Sequence, residues 1–400
     1  EYMKRQGDVA KNLQKELGAP KQFAERVQSA MFLLHWSTVL SLAEPDGFDW
    51  TVDMGPTVLR KEPIGVVGCI TPWNWPLNQI AAKIGPALLA GCTVVLKPSE
   101  ITPINAILVA EAIHAAGLPA GVFNMVMGTG PETAQLLAEH PKVDMVSFTG
   151  STAVGRQVMR NAADTIKRVF LELGGKSAMV LLDDADLPTA LFGSLAICAH
   201  SGQGCAITTR LLVPRSRLAE AEELLCAYVG GMSYGSDDTS GEMQGPLISE
   251  RQRQRVLEYI ELGKQEGARL ILGGGIPAHT RAGYFVEPTI FSDVRNDMRI
   301  AQEEIFGPVL VVIPYDDEAE ALHLCNDSIY GLSGSVYSAS EERALAFARK
   351  IRSGTVNVNG GNFLGPDAPF GGYKQSGVGR EMGPEGFEEY VQTKTIAIAV

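Results

Sequence analysis

From Gly65 onward the sequence alternates short apolar runs with longer amphipathic stretches, and that rhythm restricts its fold more than any other feature. The runs are GVVGCI (65–70), TVVLK (93–97), VFNMVM (122–127), VDMVSF (143–148) and RVFLEL (168–173). Helical patterns separate most of them, so the segment predicts a parallel sheet with right-handed crossovers. After Gly174 and Gly175 the rhythm resumes with AMVLLD (178–183), LLVP (211–214), RLIL (269–272), VLVVIP (309–314), GSVYS (334–338) and TVNVN (355–359). We therefore expect an α/β protein of two units with a boundary near Gly174, and ligands gathered at the carboxyl ends of the strands. The 43 glycines suit such a fold, which needs many tight strand-to-helix turns. Residues 46–60 and the tail TKTIAIAV (393–400) fit neither unit. Each reads as a strand lent to a neighbouring subunit or as a plain edge strand within one chain. The opening 42 residues are amphipathic without a helix start signal, so the chain reads as one entered in mid-course.

Composition removes several classes of function. A net charge of −12 without a Lys/Arg cluster repels phosphate backbones and anionic membrane surfaces, which argues against a nucleic-acid partner. No stretch of about 18 apolar residues exists to cross a bilayer, and no membrane association is expected. The six cysteines lack CxxC or CxxH spacing, so we expect no metal site and no disulfide framework, but reduced thiols in a cytoplasmic protein.

Five segments carry residues suited to chemistry. In GCITPWNWPLNQI (68–80) a buried strand delivers Trp73, Asn74 and Trp75 above the sheet, where the Asn74 amide either donates to an oxyanion or closes a turn. In TVVLKPSE (93–100) Lys97 and Glu100 follow a strand end, as ribose ligands or as a solvated pair. SFTGSTAVG (147–155) sets Gly150 and Ser151 at a helix start whose free N–H groups suit a pyrophosphate. Neither it nor GTGPET (128–133) completes GxGxxG or ends as a P-loop, and a tight turn explains both equally well. LELGGKS (171–177) places Glu172 where a Rossmann unit carries its ribose-binding acid, so spacing alone leaves it as cofactor ligand, general base or bystander. In SGQGCAITTR (201–210) Cys205 is flanked by small residues before a strand, as an accessible nucleophile or a core thiol. A free thiol titrates near about 8.5, and a positively biased site would raise its thiolate fraction. His200 invites a Cys-His protease reading, but no Asn or Asp partner is identifiable.

Taken together and in this order, these segments resemble the aldehyde dehydrogenase superfamily. EEIFGPV (303–309) and PFGGYKQSGVGRE (369–381) extend the likeness, which runs from about Pro63 to the end. The resemblance implies a Rossmann-like cofactor domain (1–44 and 64–174), a catalytic α/β domain (175–390) and a small β oligomerisation arm (45–63 and 391–400). It implies oxidation of a small-molecule aldehyde to a carboxylic acid, with Cys205 as the nucleophile that forms a thioester and Glu172 as the base that activates water. Asn74 with the Cys205 backbone N–H would line the oxyanion hole, and Lys83 and Glu381 would relay a proton or form a buried ion pair. Contacts to the cofactor carry over to Ile70, Trp73, Lys97, Glu100, Gly130, Gly150, Ser151, Leu173, Glu304 and Phe306. Because a Glu100 carboxylate accepts from a ribose hydroxyl and repels a 2′-phosphate, NAD is expected over NADP.

Trp75, Phe363 and Phe370 are expected along the substrate tunnel, and Gly204 and Ala82 make it roomy enough for an apolar or aromatic aldehyde. The family likeness implies a homodimer or homotetramer, with the tail pairing across subunits. It also implies that the family carries further residues before Glu1. A CoA-acylating dehydrogenase is the rival within the class, opposed by Glu172. A non-catalytic NAD-binding relative is the rival outside it, opposed by the joint presence of Cys205, Glu172 and Asn74.

Overall fold

The computed structural model describes residues 1–43, 51–235, 239–280, 282–361 and 365–399. After the opening helices, β1 (Thr51–Asp53) and β2 (Thr57–Pro63) form a hairpin. The first alternating segment supplies β3 (Val66–Ile70), β4 (Thr93–Lys97), β5 (Phe123–Met125), β6 (Met145–Thr149) and β7 (Arg168–Glu172). The second supplies β8 (Ser177–Leu181), β9 (Thr208–Pro214), β10 (Arg269–Leu272), β11 (Thr289–Ser292), β12 (Val309–Tyr315), β13 (Ser333–Tyr337) and β14 (Thr355–Val358), and the chain closes with β15 (Gly377–Val378) and β16 (Val391–Ala397).

Two mainly parallel sheets result, as the alternation predicts. The first has the order β15-β7-β6-β3-β4-β5 and the second β10-β11-β12-β9-β8-β13-β14. Both are apolar on both faces, because crossover helices cover each side. On one face of the first sheet, Leu13, Phe32, Leu77, Ile80 and Ile84 pack with Val67, Val94 and Leu96. On the other, Ala138 and Val158 meet Val146 and Leu171. The helix Pro76–Leu89 is buried along nearly its whole length, started by a proline at its first position and crossed closely at Gly85, where a Cβ would already touch Val39. Each fully buried Leu or Ile here contributes roughly 1.5–3 kcal/mol.

Two features add to the expected layout. The second unit was expected to run to residue 390, but β15 pairs antiparallel with β7, matching Gly377 to Glu172, and the helix Gly383–Glu388 packs against Pro76–Leu89. The chain thus returns to the first sheet before it ends. The tail lies antiparallel on β2 of its own chain from Val391↔Pro63 to Ala397↔Thr57, the edge strand within one chain that was one of its two readings. Its outer edge stays free of any strand among the described residues, because β16 ends the β1-β2-β16 sheet. The part of the 46–60 expectation that falls on 46–50 lies outside the described residues. No described helix is long and apolar enough to cross a membrane.

Candidate active site

The register of the first sheet builds one wall of a crevice. Ile70 lies opposite Lys97 on one side and Phe148 on the other, and Thr149 lies opposite Glu172. The carboxyl ends of β4, β3, β6 and β7 therefore present Lys97, Ile70, Gly150 and Glu172 along a single edge. Lys97, almost fully buried, donates to the Glu100 carboxylate at 2.7 Å. Burial opposes ionisation of Glu100, but the Lys97 ammonium and the Gly130 N–H hold its carboxyl below the usual range. Ser151 caps the helix Thr152–Ala163, its Oγ accepting from the Val154 N–H at 3.4 Å.

The opposite wall comes from the second unit. Glu304 accepts from the Gly175 N–H at 3.1 Å, and burial pushes its carboxyl up to about 7. Gly174 leaves room for the Glu304 carboxylate, which a Cβ there would push aside. Phe306 adopts a left-handed φ of 62° and stands edge-on to Trp73 with ring centroids 5.6 Å apart. Leu173 is fixed through its N–H to the Ser376 carbonyl at 2.9 Å.

Cys205 sits where these walls converge. The preceding loop is wound tightly, with His200 and Ser201 at φ 52° and 55° and Gly202 at 70°, and a Cβ on Gly202 would strike the Gly307 carbonyl. The Asn74 amide donates to the Gln203 carbonyl at 3.1 Å, which pins it two residues from the nucleophile. A primary amide has two N–H donors, so the second is available to an oxyanion. Gln28 in turn donates to the Asn74 carbonyl at 3.0 Å. Glu172 is fully buried, and both its oxygens lack a hydrogen-bonding nitrogen or oxygen, with the Cys205 thiol set against them. Burial, then the Glu381 charge, drives its carboxyl well above the ordinary range. Burial and the nearby Glu172 and Glu304 carboxylates likewise raise the Cys205 thiol. Among protein groups the bias at the thiol is therefore negative.

Lys83 and Glu381 form a fully buried ion pair, with the Lys83 ammonium 4.9 Å from the centre of the Phe170 ring. Both charges act on Glu172. Phe370 is held beside this pair by two backbone hydrogen bonds of 2.7 Å with Glu381. Ala82 is buried, and the Trp75 indole nitrogen stands 3.8 Å from the place a Gly204 Cβ would take. Phe363 lies outside the described residues. Sequence reasoning missed Gln28, Gln203 and Ser376. The last two lie inside quoted motifs, and Ser376 donates to the Gly174 carbonyl at 2.7 Å. Gln28 carries no local signal.

The model of the aldehyde dehydrogenase family matches residues 1–396, and the chain belongs to that family. It is 50% identical over 392 residues to a 3-succinoylsemialdehyde-pyridine dehydrogenase of a Pseudomonas species, covering 97% of this chain and 82% of that protein. Among solved structures, aldehyde dehydrogenase C of Pseudomonas syringae, complexed with NAD+ and octanal, shares 45% identity and a TM-score of 0.95 over 99% of this chain and 81% of its own. A Mycobacterium tuberculosis aldehyde dehydrogenase complexed with NAD+ shares 43% identity and a TM-score of 0.94 over 99% and 82%. The chain is accordingly an oxidoreductase acting on aldehydes.

Proposed function

We propose that the chain oxidises an aldehyde to the carboxylic acid with NAD, through a thioester on Cys205 that water cleaves with Glu172 as general base. The observation that carries this is the convergence of a thiol, an amide with a spare N–H and an otherwise unpartnered carboxylate at the end of a crevice. The crevice suits a dinucleotide. Glu100, held ionised by Lys97, accepts from a ribose hydroxyl, the Ser151 helix start offers N–H groups to a pyrophosphate, and Gly174 leaves space beside Glu304 that a Cβ would fill. Ile70, Trp73, Gly130, Gly150, Leu173 and Phe306 complete the binding wall. When bound, NAD supplies the hydride acceptor and a positively charged ring.

The protein supplies the rest. Cys205 gives its proton to the Glu172 carboxylate set against it, which passes it on by way of the Lys83–Glu381 pair, and its sulfur bonds to the aldehyde carbon while Asn74 and the Cys205 N–H hold the developing alkoxide. Once the thioester has formed, Glu172 takes a proton from water, and the Lys83–Glu381 pair carries that charge onward. Trp75, Phe370, Gly204 and Ala82 suit an aldehyde with an apolar or aromatic tail. The Pseudomonas relative, named for a pyridine-bearing semialdehyde, and the octanal complex accord with that choice. We assign 1–44 and 64–174 to the cofactor domain, 175–390 to the catalytic domain with 377–388 lying on the first sheet, and 45–63 with 391–400 to an arm that joins subunits into a cytoplasmic homodimer or homotetramer. Light scattering of the full protein checks the assembly, which a monomer at all concentrations would refute.

The test is NADH formation over a panel of aliphatic, aromatic and acidic aldehydes, with Cys205→Ala alongside and NADP in place of NAD. Turnover should require Cys205 and favour NAD, with apolar and aromatic aldehydes ranked above acidic ones. Activity that survives Cys205→Ala, or higher efficiency with NADP, would overturn the corresponding assignment.

A further inference from the structure

A cavity of about 10 Å³, room for one water-sized occupant, lies at the amino-terminal edge of the second sheet, lined by Lys176, Ser177, Arg210, Tyr330, Ser333 and Arg352 among others. Among the described residues no carboxylate lines it. Arg210 is 2% exposed and donates to the carbonyls of Lys176, Leu324 and Cys325 and to Asn296, with no ion pair among the described residues. Lys176 is equally buried and has neither a side-chain hydrogen bond nor an ion pair among the described residues, and the Ser177 hydroxyl is buried without a partner. Neither cation has a direct ion pair among the described residues, and burying such groups is costly unless a charge of opposite sign stands between them.

We propose that this cavity is a binding site for a single chloride ion, lined by Lys176, Ser177 and Arg210. The size excludes phosphate and carboxylates, and the absence of an acid excludes a cation. Other titratable groups face the site: Glu303 and Glu304 act on Lys176 from outside the lining, Asp327 and Lys374 stand near Arg210, and Cys325 lies in the lining itself. Burial, then the Arg210 charge, lowers the Lys176 ammonium to about 7, more than Glu304 and Glu303 restore. An anion favours the protonated amine, so chloride entry takes up a proton and its stabilising effect weakens as pH rises through neutrality.

The experiment compares thermal unfolding of the full protein in sodium chloride and in sodium gluconate at equal ionic strength, at about pH 6 and about pH 9. A second arm locates bromide by anomalous diffraction. Chloride should raise the melting temperature by about 2–4 °C at the lower pH and by less at the higher, with a bromide peak beside Lys176. Lys176→Met should abolish the difference, and if that variant does not fold, Ser177→Ala should reduce it. Equal melting in the two salts at both pH values, a cavity holding only water, or a bromide peak without any effect in solution would overturn the site, as would a full chloride response in a folded Lys176→Met.

Discussion

Cys205 carries its thiol beside Glu172 and within reach of the Glu304 charge, so in the protein alone it is a poorer nucleophile than an ordinary cysteine. The sign is unambiguous: a raised thiol pKa means that thiolate forms only as pH rises, and removing a neighbouring negative charge brings it down. Inactivation by iodoacetamide without cofactor should accordingly accelerate through the alkaline range. Glu172→Gln should speed it about 3–10-fold near pH 8. An unchanged alkylation rate in that variant would show that the Glu172 charge does not govern the thiol. Both residues were legible in the sequence, but only as alternatives until the family likeness chose between them. The charge state was not legible at all, because it depends on burial and on Glu304, which is remote in sequence and is brought in by its bond to the Gly175 N–H.

The strands were readable wherever an apolar run is both long and flanked by helix, which covers β3 to β9 and most of the second sheet. β11, a four-residue strand that follows the segment 273–288, and β15, two residues set by tertiary pairing with β7, give no run to read. The π-helical turn Ala24–Gln28, which carries Gln28 towards Asn74, was equally hidden, since no periodicity marks a single widened turn. Among connections, the loop before Cys205 is the one whose geometry the chemistry most needs. Gly202→Ala would place a Cβ both in left-handed backbone and against the Gly307 carbonyl, at a cost of about 2 kcal/mol or more. We expect a lower melting temperature together with at least tenfold loss of kcat/KM, since the loop holds both Cys205 and the carbonyl that fixes Asn74. Wild-type values for both would mean that the loop has room the structure does not show.

Across the whole molecule, the Lys83–Glu381 pair joins the helix Pro76–Leu89 to the segment that returns from the second unit. Losing one partner strands a charge in the interior, so Lys83→Met should cost about 3–5 kcal/mol, whereas Lys83→Met with Glu381→Leu should recover most of it. Melting curves of the three proteins decide this, and additive losses in the double variant would show that the ions are not energetically a pair.

The return of the chain to β7 also bears on how the protein is made. Glu172 lies on an outer strand until Gly377 arrives to pair with it, and Leu173 and Gly174 receive their bonds from Ser376 only then. A ribosome must therefore have passed Gly377, some two hundred residues beyond Glu172, before the base can be locked in place. Contacts so distant in sequence form late in folding. A nascent chain stalled after the first unit would hold a sheet with an open edge and no working centre, and the second unit must be made before reactive chemistry can begin.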